Sequence, residues 1–98
     1  MCEKKIETLK PIINACGEKA QMLQSIEELS ELSKALCKYI KTSGEGQLYD
    51  ALQNVTEEMA DVLIMIDQLM IIFDNEKEVQ QVVSQKIERT YKRLGINE

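Results

Sequence analysis

Two segments of this chain carry acidic side chains at a spacing that suits metal binding. Glu28 and Glu31 lie three residues apart in one segment, and Glu58 and Asp61 lie three residues apart in the other. Residues three apart share one face of a helix, so each segment presents two carboxylates together. Acids at this spacing are also typical of a solvated helix face. The two interpretations differ in whether the segments meet in the folded protein.

The position of the main loop predicts that the two acidic segments do meet. If residues 42–47 turn the chain between two helices, residues at equal distances from the loop become neighbours in an antiparallel pair. Glu28 then lies opposite Asp61, and Glu31 lies opposite Glu58. Four carboxylates between apolar helix faces would repel one another and raise their pKa values. A divalent cation would neutralise them, and oxygen ligands select Mg²⁺, Mn²⁺ or Ca²⁺.

Hydrophobic periodicity predicts an all-α fold, because it is helical along almost the whole chain and strand-like alternation is missing. Gly17 and Gly95 are expected to end helices, Pro11 to kink or break the first helix, and Gly44 and Gly46 to mark the main loop. Four helices are predicted. The first covers residues 3–16, and the second runs from residue 18 to the loop at residues 42–47. The third covers residues 48–73 approximately, and the fourth runs from the capping residues 74–75 to about residue 94.

The two middle helices carry more apolar residues than one helix face can hold. The second has one face of Met22, Ile26, Leu29, Ser33, Leu36 and Ile40, with further apolar residues beside it. Residues 62–66 of the third are apolar on every side. We therefore expect the second helix to be buried broadly and the third to lie at the middle of a bundle or dimer, contacted from several directions.

Length and charge narrow the class of protein. Residues 1–98 make a single small helical domain, whose core is modest unless a second subunit completes it, so a homodimer or homotetramer is expected. The net charge of -5, from 12 basic and 17 acidic residues, argues against binding a nucleic-acid backbone.

The cysteines and the apolar runs indicate where in the cell the protein is expected to be. The three cysteines form an odd set without CxxC spacing, which is typical of reduced thiols in a cytoplasmic protein, and Cys16 and Cys37 are expected to be small buried residues. No basic segment precedes an apolar stretch, so no signal peptide is indicated. The longest apolar run, residues 62–73, contains Asp67 and Gln68 and falls short of the roughly 20 residues of a membrane helix. It is expected to be a core helix, and no membrane partner is expected.

The acidic segments, taken together, resemble a known family. The pattern Gln21-x-x-Gln24-x-x-Glu27-Glu28-x-x-Glu31-Leu32 is followed, after a glycine-bearing loop, by Glu57-Glu58-x-x-Asp61-Val62-Leu63. This resembles the MazG-like all-α nucleoside triphosphate pyrophosphohydrolases, whose signature is ExxE, a spacer of some tens of residues, and ExxD on the next helix. The resemblance covers residues 17–93 and implies a four-helix MazG-like bundle with a central antiparallel helix pair, completed by oligomerisation.

The resemblance also implies a reaction. Members of that family bind Mg²⁺, with Mn²⁺ as an alternative, and hydrolyse a nucleoside triphosphate between the α and β phosphates to the monophosphate and pyrophosphate. Relatives clear non-canonical or surplus nucleotides, or lower nucleotide pools under stress. Carried over by position, Glu28, Glu31, Glu58 and Asp61 become the metal ligands and the catalytic acids. Glu27 and Glu57 point about a quarter turn away and are expected to be surface charges or groups that contact the ligands and not the metal.

Phosphate binding needs further polar residues. Lys86 and Arg89 share one face of the fourth helix, and the family places basic residues on its C-terminal helix to contact the triphosphate; these two could instead complement a helix dipole. Lys38 lies two turns after Glu31, where it could reach phosphate or pair with an acid. Some relatives carry a basic residue one turn before each acidic pair, where this chain has Gln24 and Asn54, which are the remaining substrate-binding candidates.

Two other functional classes compete with this interpretation. A non-catalytic helical oligomerisation or partner-binding module would explain the apolar third helix equally well. Unlike the enzyme, such a module would not need its acids to bind metal and would not consume a triphosphate. A di-iron carboxylate bundle normally uses Glu-x-x-His pairs and is disfavoured, because the chain contains no histidine.

Overall fold

The computed structural model describes residues 1–97, and α-helices make up nearly all of that part of the chain. The helices are α1 (Glu3–Cys16), α2 (Glu18–Lys41), α3 (Glu45–Phe73) and α4 (Glu76–Leu94). No strand forms within residues 1–97, so the predicted all-α fold with four helices is confirmed.

Glycines with positive φ separate the first three helices. Gly17 has φ 95 and ψ 146, and its N–H still donates to the Ile13 carbonyl at 2.7 Å, so the chain changes direction without leaving that carbonyl unpaired. Gly44 also has φ 95 and immediately precedes α3. The predicted start of α3 near Leu48 is therefore wrong by about one turn, because Gly46 is helical and the loop is only residues 42–44. Pro11 lies inside α1 without ending it.

An antiparallel hairpin of α2 and α3 forms the centre of the fold. Its seam follows alternating steps of four and three residues, which is the spacing of a coiled coil. The seam residues are buried or half-buried: Gln21, Ser25, Glu28, Leu32 and Ala35 on α2, and Ala51, Val55, Glu58, Val62 and Met65 on α3. Two acids, Glu28 and Glu58, therefore stand at positions that coiled coils normally give to apolar residues.

The first helix packs against both members of the hairpin. Leu9 and Ile13, four residues apart on one face of α1, are buried there. Lys5 adds an ion pair to Asp67 of α3 with an Nζ–Oδ2 distance of 3.2 Å. α1 thus covers part of the hairpin at the end remote from the 42–44 loop.

The fourth helix buries none of its residues. Its Glu76 pairs with the amino group of Met1, and otherwise α4 makes at most marginal contact with the rest of the described chain. The apolar faces of the hairpin are also open: Ile26 is 61 % exposed and Leu63 is 64 % exposed. The expected broad burial of α2 is therefore wrong for a single chain. α3 contacts both α1 and α2, and its expected place at the middle of a dimer stays a prediction. The expected burial of Cys16 and Cys37 is wrong as well, since both thiols are free and exposed.

The exposed area is large for a protein of this size. The chain exposes 7697 Å², whereas a folded monomer of 11.2 kDa exposes about 5,700 Å². Its radius of gyration is 16.8 Å, against about 13 Å for a typical domain of this length. Among the described residues, no helix is both long and apolar enough to cross a lipid bilayer.

Candidate metal centre

Three carboxylates from the two hairpin helices lie close together, two of them half-buried and the third, Asp61, exposed. Glu28 of α2 and Glu58 and Asp61 of α3 each offer an oxygen atom, and these oxygens all lie within 4.8 Å of one another. The predicted meeting of the two acidic segments is therefore present in the fold. Its cause is the register of the hairpin, which sets Glu28 beside Asp61 with Glu58 one turn away on the same face.

Glu58 has the least favourable surroundings of the three acids. Its Oε2 atom is almost fully shielded from solvent and has no hydrogen-bond partner among residues 1–97. Loss of hydration raises the pKa of Glu58, and repulsion from Asp61, Glu28, Glu31 and Glu57 raises it further. A shielded carboxylate oxygen without a donor is costly, and it is the kind of atom that a cation would satisfy.

The other acids differ in their partners. Gln24 donates from Nε2 to Oε1 of Glu28 at 2.9 Å, which holds that carboxylate one turn along α2. Glu31 lies outside the close group and faces Lys34, with an Nζ–Oε1 distance of 3.5 Å. The fourth predicted ligand is thus near enough to Glu58 to repel it but is not drawn into the group.

A groove lies between α2 and α3 near the 42–44 loop, lined by Lys38, Thr42, Gln47, Asp50, Ala51 and Asn54. It has a volume of about 380 Å³ and brings together Lys38 and Asn54, two of the predicted substrate-binding residues. A neighbouring depression of about 570 Å³ shares Lys38 and adds Lys34 and Lys41 from α2. Asn54 lies one turn before Glu58 on α3, so the groove begins close to the acids. Its lining includes a cation, Lys38, the amide of Asn54 and a carboxylate, Asp50.

The remaining predicted phosphate ligands lie elsewhere. Lys86 and Arg89 are exposed on α4 and form no ion pair within the described part of the chain. Because α4 hardly touches the hairpin, the single chain does not bring them to the carboxylates.

The sequence interpretation missed one feature of the hairpin. Gln21 of α2 and Gln68 of α3 are joined in the interior by a side-chain hydrogen bond of 2.7 Å. The signal that could have revealed Gln21 is the four-three spacing that runs through Gln21, Ser25 and Glu28, which marks it as a seam residue despite its polarity.

The donor set fits a hard divalent cation. Carboxylate oxygens are the ligands that Mg²⁺ and Mn²⁺ prefer, and the shielded Oε2 of Glu58 lacks any other partner among residues 1–97. Comparisons with protein-family models, with curated proteins and with solved structures found no match to this chain. The site and the motif resemblance are therefore what indicates a function for this chain.

Proposed function

We propose that the chain is a Mg²⁺-dependent nucleotide pyrophosphohydrolase that cleaves a nucleoside triphosphate between the α and β phosphates. The observation that carries this proposal is the group formed by Glu28, Glu58 and Asp61, with one shielded and unpaired oxygen on Glu58. Acids on a solvated helix face point into water, whereas Glu28 and Glu58 stand on the seam between two helices, where their charges reduce stability. The choice of reaction follows from the resemblance of both acidic segments to the MazG-like signature.

In this proposal the residues of the chain have distinct roles. Glu28, Glu58 and Asp61 hold the cation, which when bound neutralises phosphate charge and activates water. Glu31 is the fourth carboxylate of the signature; its ion pair with Lys34 is at the surface and contributes little, so releasing it costs little.

The groove beside the acids is proposed to take the phosphates. Lys38 and Asn54, which both line it, are placed to bind phosphate oxygens by charge and by amide N–H donation. Gln24 holds the Glu28 carboxylate in place. It therefore acts on the substrate through that acid.

Product analysis tests the reaction directly. The protein is incubated with Mg²⁺ and a panel of ribo- and deoxynucleoside triphosphates, beside the variants Glu58→Gln and Glu27→Gln. We expect monophosphate and pyrophosphate from the parent and from Glu27→Gln, which removes an exposed acid next to the signature, and no product from Glu58→Gln. A folded parent that turns over nothing in the panel would favour the non-catalytic oligomerisation module.

We propose also that a second copy of the chain covers the exposed apolar surface. The excess over the area of a typical monomer is about 2,000 Å² per chain, which is what an obligate homodimer buries. Helix phase puts the apolar stripes of α2 and α3 on the same side of the hairpin, where they form one face. These stripes contain Ile26, Leu29, Leu36 and Ile40 on α2, and Leu48, Leu52, Met59 and Leu63 on α3.

The fourth helix belongs to the same proposed interface. Val82, Val83 and Ile87 lie on one face of α4 and are exposed. By helix phase Lys86 lies on that face, between the directions of Val82 and Val83, and Arg89 lies at its edge. Assembly is therefore what would bring them toward a carboxylate group.

Analytical ultracentrifugation of Val83→Asp tests the interface. This substitution does not disturb the packing of a lone chain, because α4 buries nothing there. We expect the parent to be a dimer or tetramer, Val83→Asp to dissociate, and Gln81→Asp on the opposite face of α4 to assemble like the parent. A parent that is monomeric at micromolar concentration would contradict the proposal.

A further inference from the structure

The amide pair of Gln21 and Gln68 forms a buried side-chain hydrogen bond between α2 and α3. Gln68 is 2 % exposed and Gln21 is 7 % exposed. Nε2 of Gln21 donates to Oε1 of Gln68 at 2.7 Å. Burying two amides costs free energy unless each finds a partner. Nε2 of Gln68 also contacts Sδ of Met65 at 4.0 Å within α3, but across the hairpin each amide has only the other as a side-chain partner among the described residues. The contact is therefore tolerated in only one relative position of α2 and α3.

That position is the one that assembles the carboxylates. Glu28 lies seven residues after Gln21 on α2, and Asp61 lies seven residues before Gln68 on α3. The amide pair and the Glu28–Asp61 pair therefore share one antiparallel register, two helical turns or about 10 Å apart.

The loop that joins α2 to α3 also restrains the register, but it is more distant from the acids. The 42–44 loop lies about 20 Å along α2 from Glu28, and it contains Gly44, whose φ of 95 few other residues adopt. The rest of the seam consists largely of apolar contacts, which are non-directional and tolerate sliding. A single buried polar pair can fix the register of packed helices, because any slide leaves its members unpaired.

We propose that Gln21 and Gln68 are positioning residues that lock the register of α2 against α3 and so keep the oxygens of Glu28, Glu58 and Asp61 together. The metal part of this inference rests on the proposed function. The register part stands on the hydrogen bond and its burial alone. Experiments must therefore read out the two parts separately.

The first experiment measures Mn²⁺ binding by electron paramagnetic resonance, with Mn²⁺ as the probe. The variants are Gln68→Leu, the double variant Gln21→Leu with Gln68→Leu, and the control Gln53→Leu at an exposed position of α3. We expect Gln68→Leu to lower Tm because it leaves Gln21 unpaired, and the double variant to regain Tm because the seam becomes apolar. Despite the regained Tm, Mn²⁺ affinity of the double variant should fall at least tenfold, while Gln53→Leu binds like the parent. Parent affinity in the double variant would overturn the positioning role.

The second experiment reads the register without metal. Spin labels are placed at the exposed positions Glu27 and Glu57 after the three exposed cysteines are changed to serine, and the label distances are measured in parent and double variant. We expect a narrow distribution in the parent and a broadened one, or a second population displaced by about 5 Å, in the double variant. An unchanged narrow distribution would overturn the lock. A broadened distribution together with no Mn²⁺ binding by the parent would support the lock and refute the proposed cation site.

Discussion

At the scale of the residue, Glu58 is the side chain whose surroundings are hardest to explain without a ligand. It occupies the helix seam, one of its oxygens lacks any donor among the described residues, and four neighbouring carboxylates repel it. The raised pKa of Glu58 means that the folded protein holds this proton more tightly than the unfolded chain does. Between the ordinary value of 4.5 and the raised value, the contribution of Glu58 to stability therefore decreases as pH rises, and above that window the penalty is constant.

Replacing Glu58 should separate stability from metal binding. Without divalent cations at pH 7, Glu58→Gln should raise Tm, because the variant removes a charge that the fold disfavours. Its Tm should also fall less than that of the parent as pH rises from 5 to 7. In Mg²⁺ the variant should gain little further stability, whereas the parent gains more.

Differential scanning fluorimetry across pH, with and without Mg²⁺, measures both effects of Glu58→Gln. The matched control is Glu27→Gln, which changes an exposed acid and should follow the parent. A lower Tm for Glu58→Gln without metal at pH 7 would show that the carboxylate is not strained in the fold.

At the scale of the element, helix boundaries depend on which glycines have positive φ. Gly17 and Gly44 both have φ 95 and stand immediately before α2 and α3. Gly46 is helical, and a Cβ there would meet nothing within 4 Å. Composition alone does not distinguish a glycine that breaks a helix from one that is tolerated inside it.

Alanine substitution should distinguish the two kinds of glycine. Gly17→Ala should reduce the free energy of unfolding by about 1–3 kcal/mol, because its φ and ψ lie close to a region that glycine alone adopts without strain. Gly46→Ala should increase it by up to about 1 kcal/mol, because alanine is the better helix former. Urea titration followed by circular dichroism measures both changes. Equal effects of the two substitutions would contradict the assignment of Gly17 as the break.

At the scale of the whole molecule, the chain leaves a large apolar surface uncovered while it gathers acids on its central hairpin. The stability of the folded protein should therefore depend on what binds it. Mg²⁺ binding to the folded state alone would add about 2.7 kcal/mol at a free concentration one hundred times its Kd.

Removing two acids tests that dependence. Mg²⁺ should raise the Tm of the parent, and the double variant Glu28→Ala with Asp61→Ala should show no response. The matched double variant Glu7→Ala with Glu27→Ala removes two exposed acids that are not among those repelling Glu58, and it should respond like the parent. Calorimetry with increasing Mg²⁺ measures the shift, and a parent whose melting curve does not change at millimolar Mg²⁺ would count against a cation site.

The order of residues by itself determined the helical class, three of the four helix starts and the pairing of Glu28 with Asp61. These follow from local rules: the repeat of apolar residues, the positions of glycines and equal distances from a loop. The true start of α3 was missed, because a backbone angle at Gly44 decided it. Local patterns could not show which apolar faces stay open either, since burial depends on which helices meet.

Only the tertiary structure decided the details of the site and of the surface. It drew Glu28, Glu58 and Asp61 together while Glu31 turned toward Lys34. It also joined Gln21 to Gln68 and left α4 apart from the hairpin. These outcomes depend on distances between segments far apart in the chain and on the balance of burial against hydration, which residue order alone does not contain.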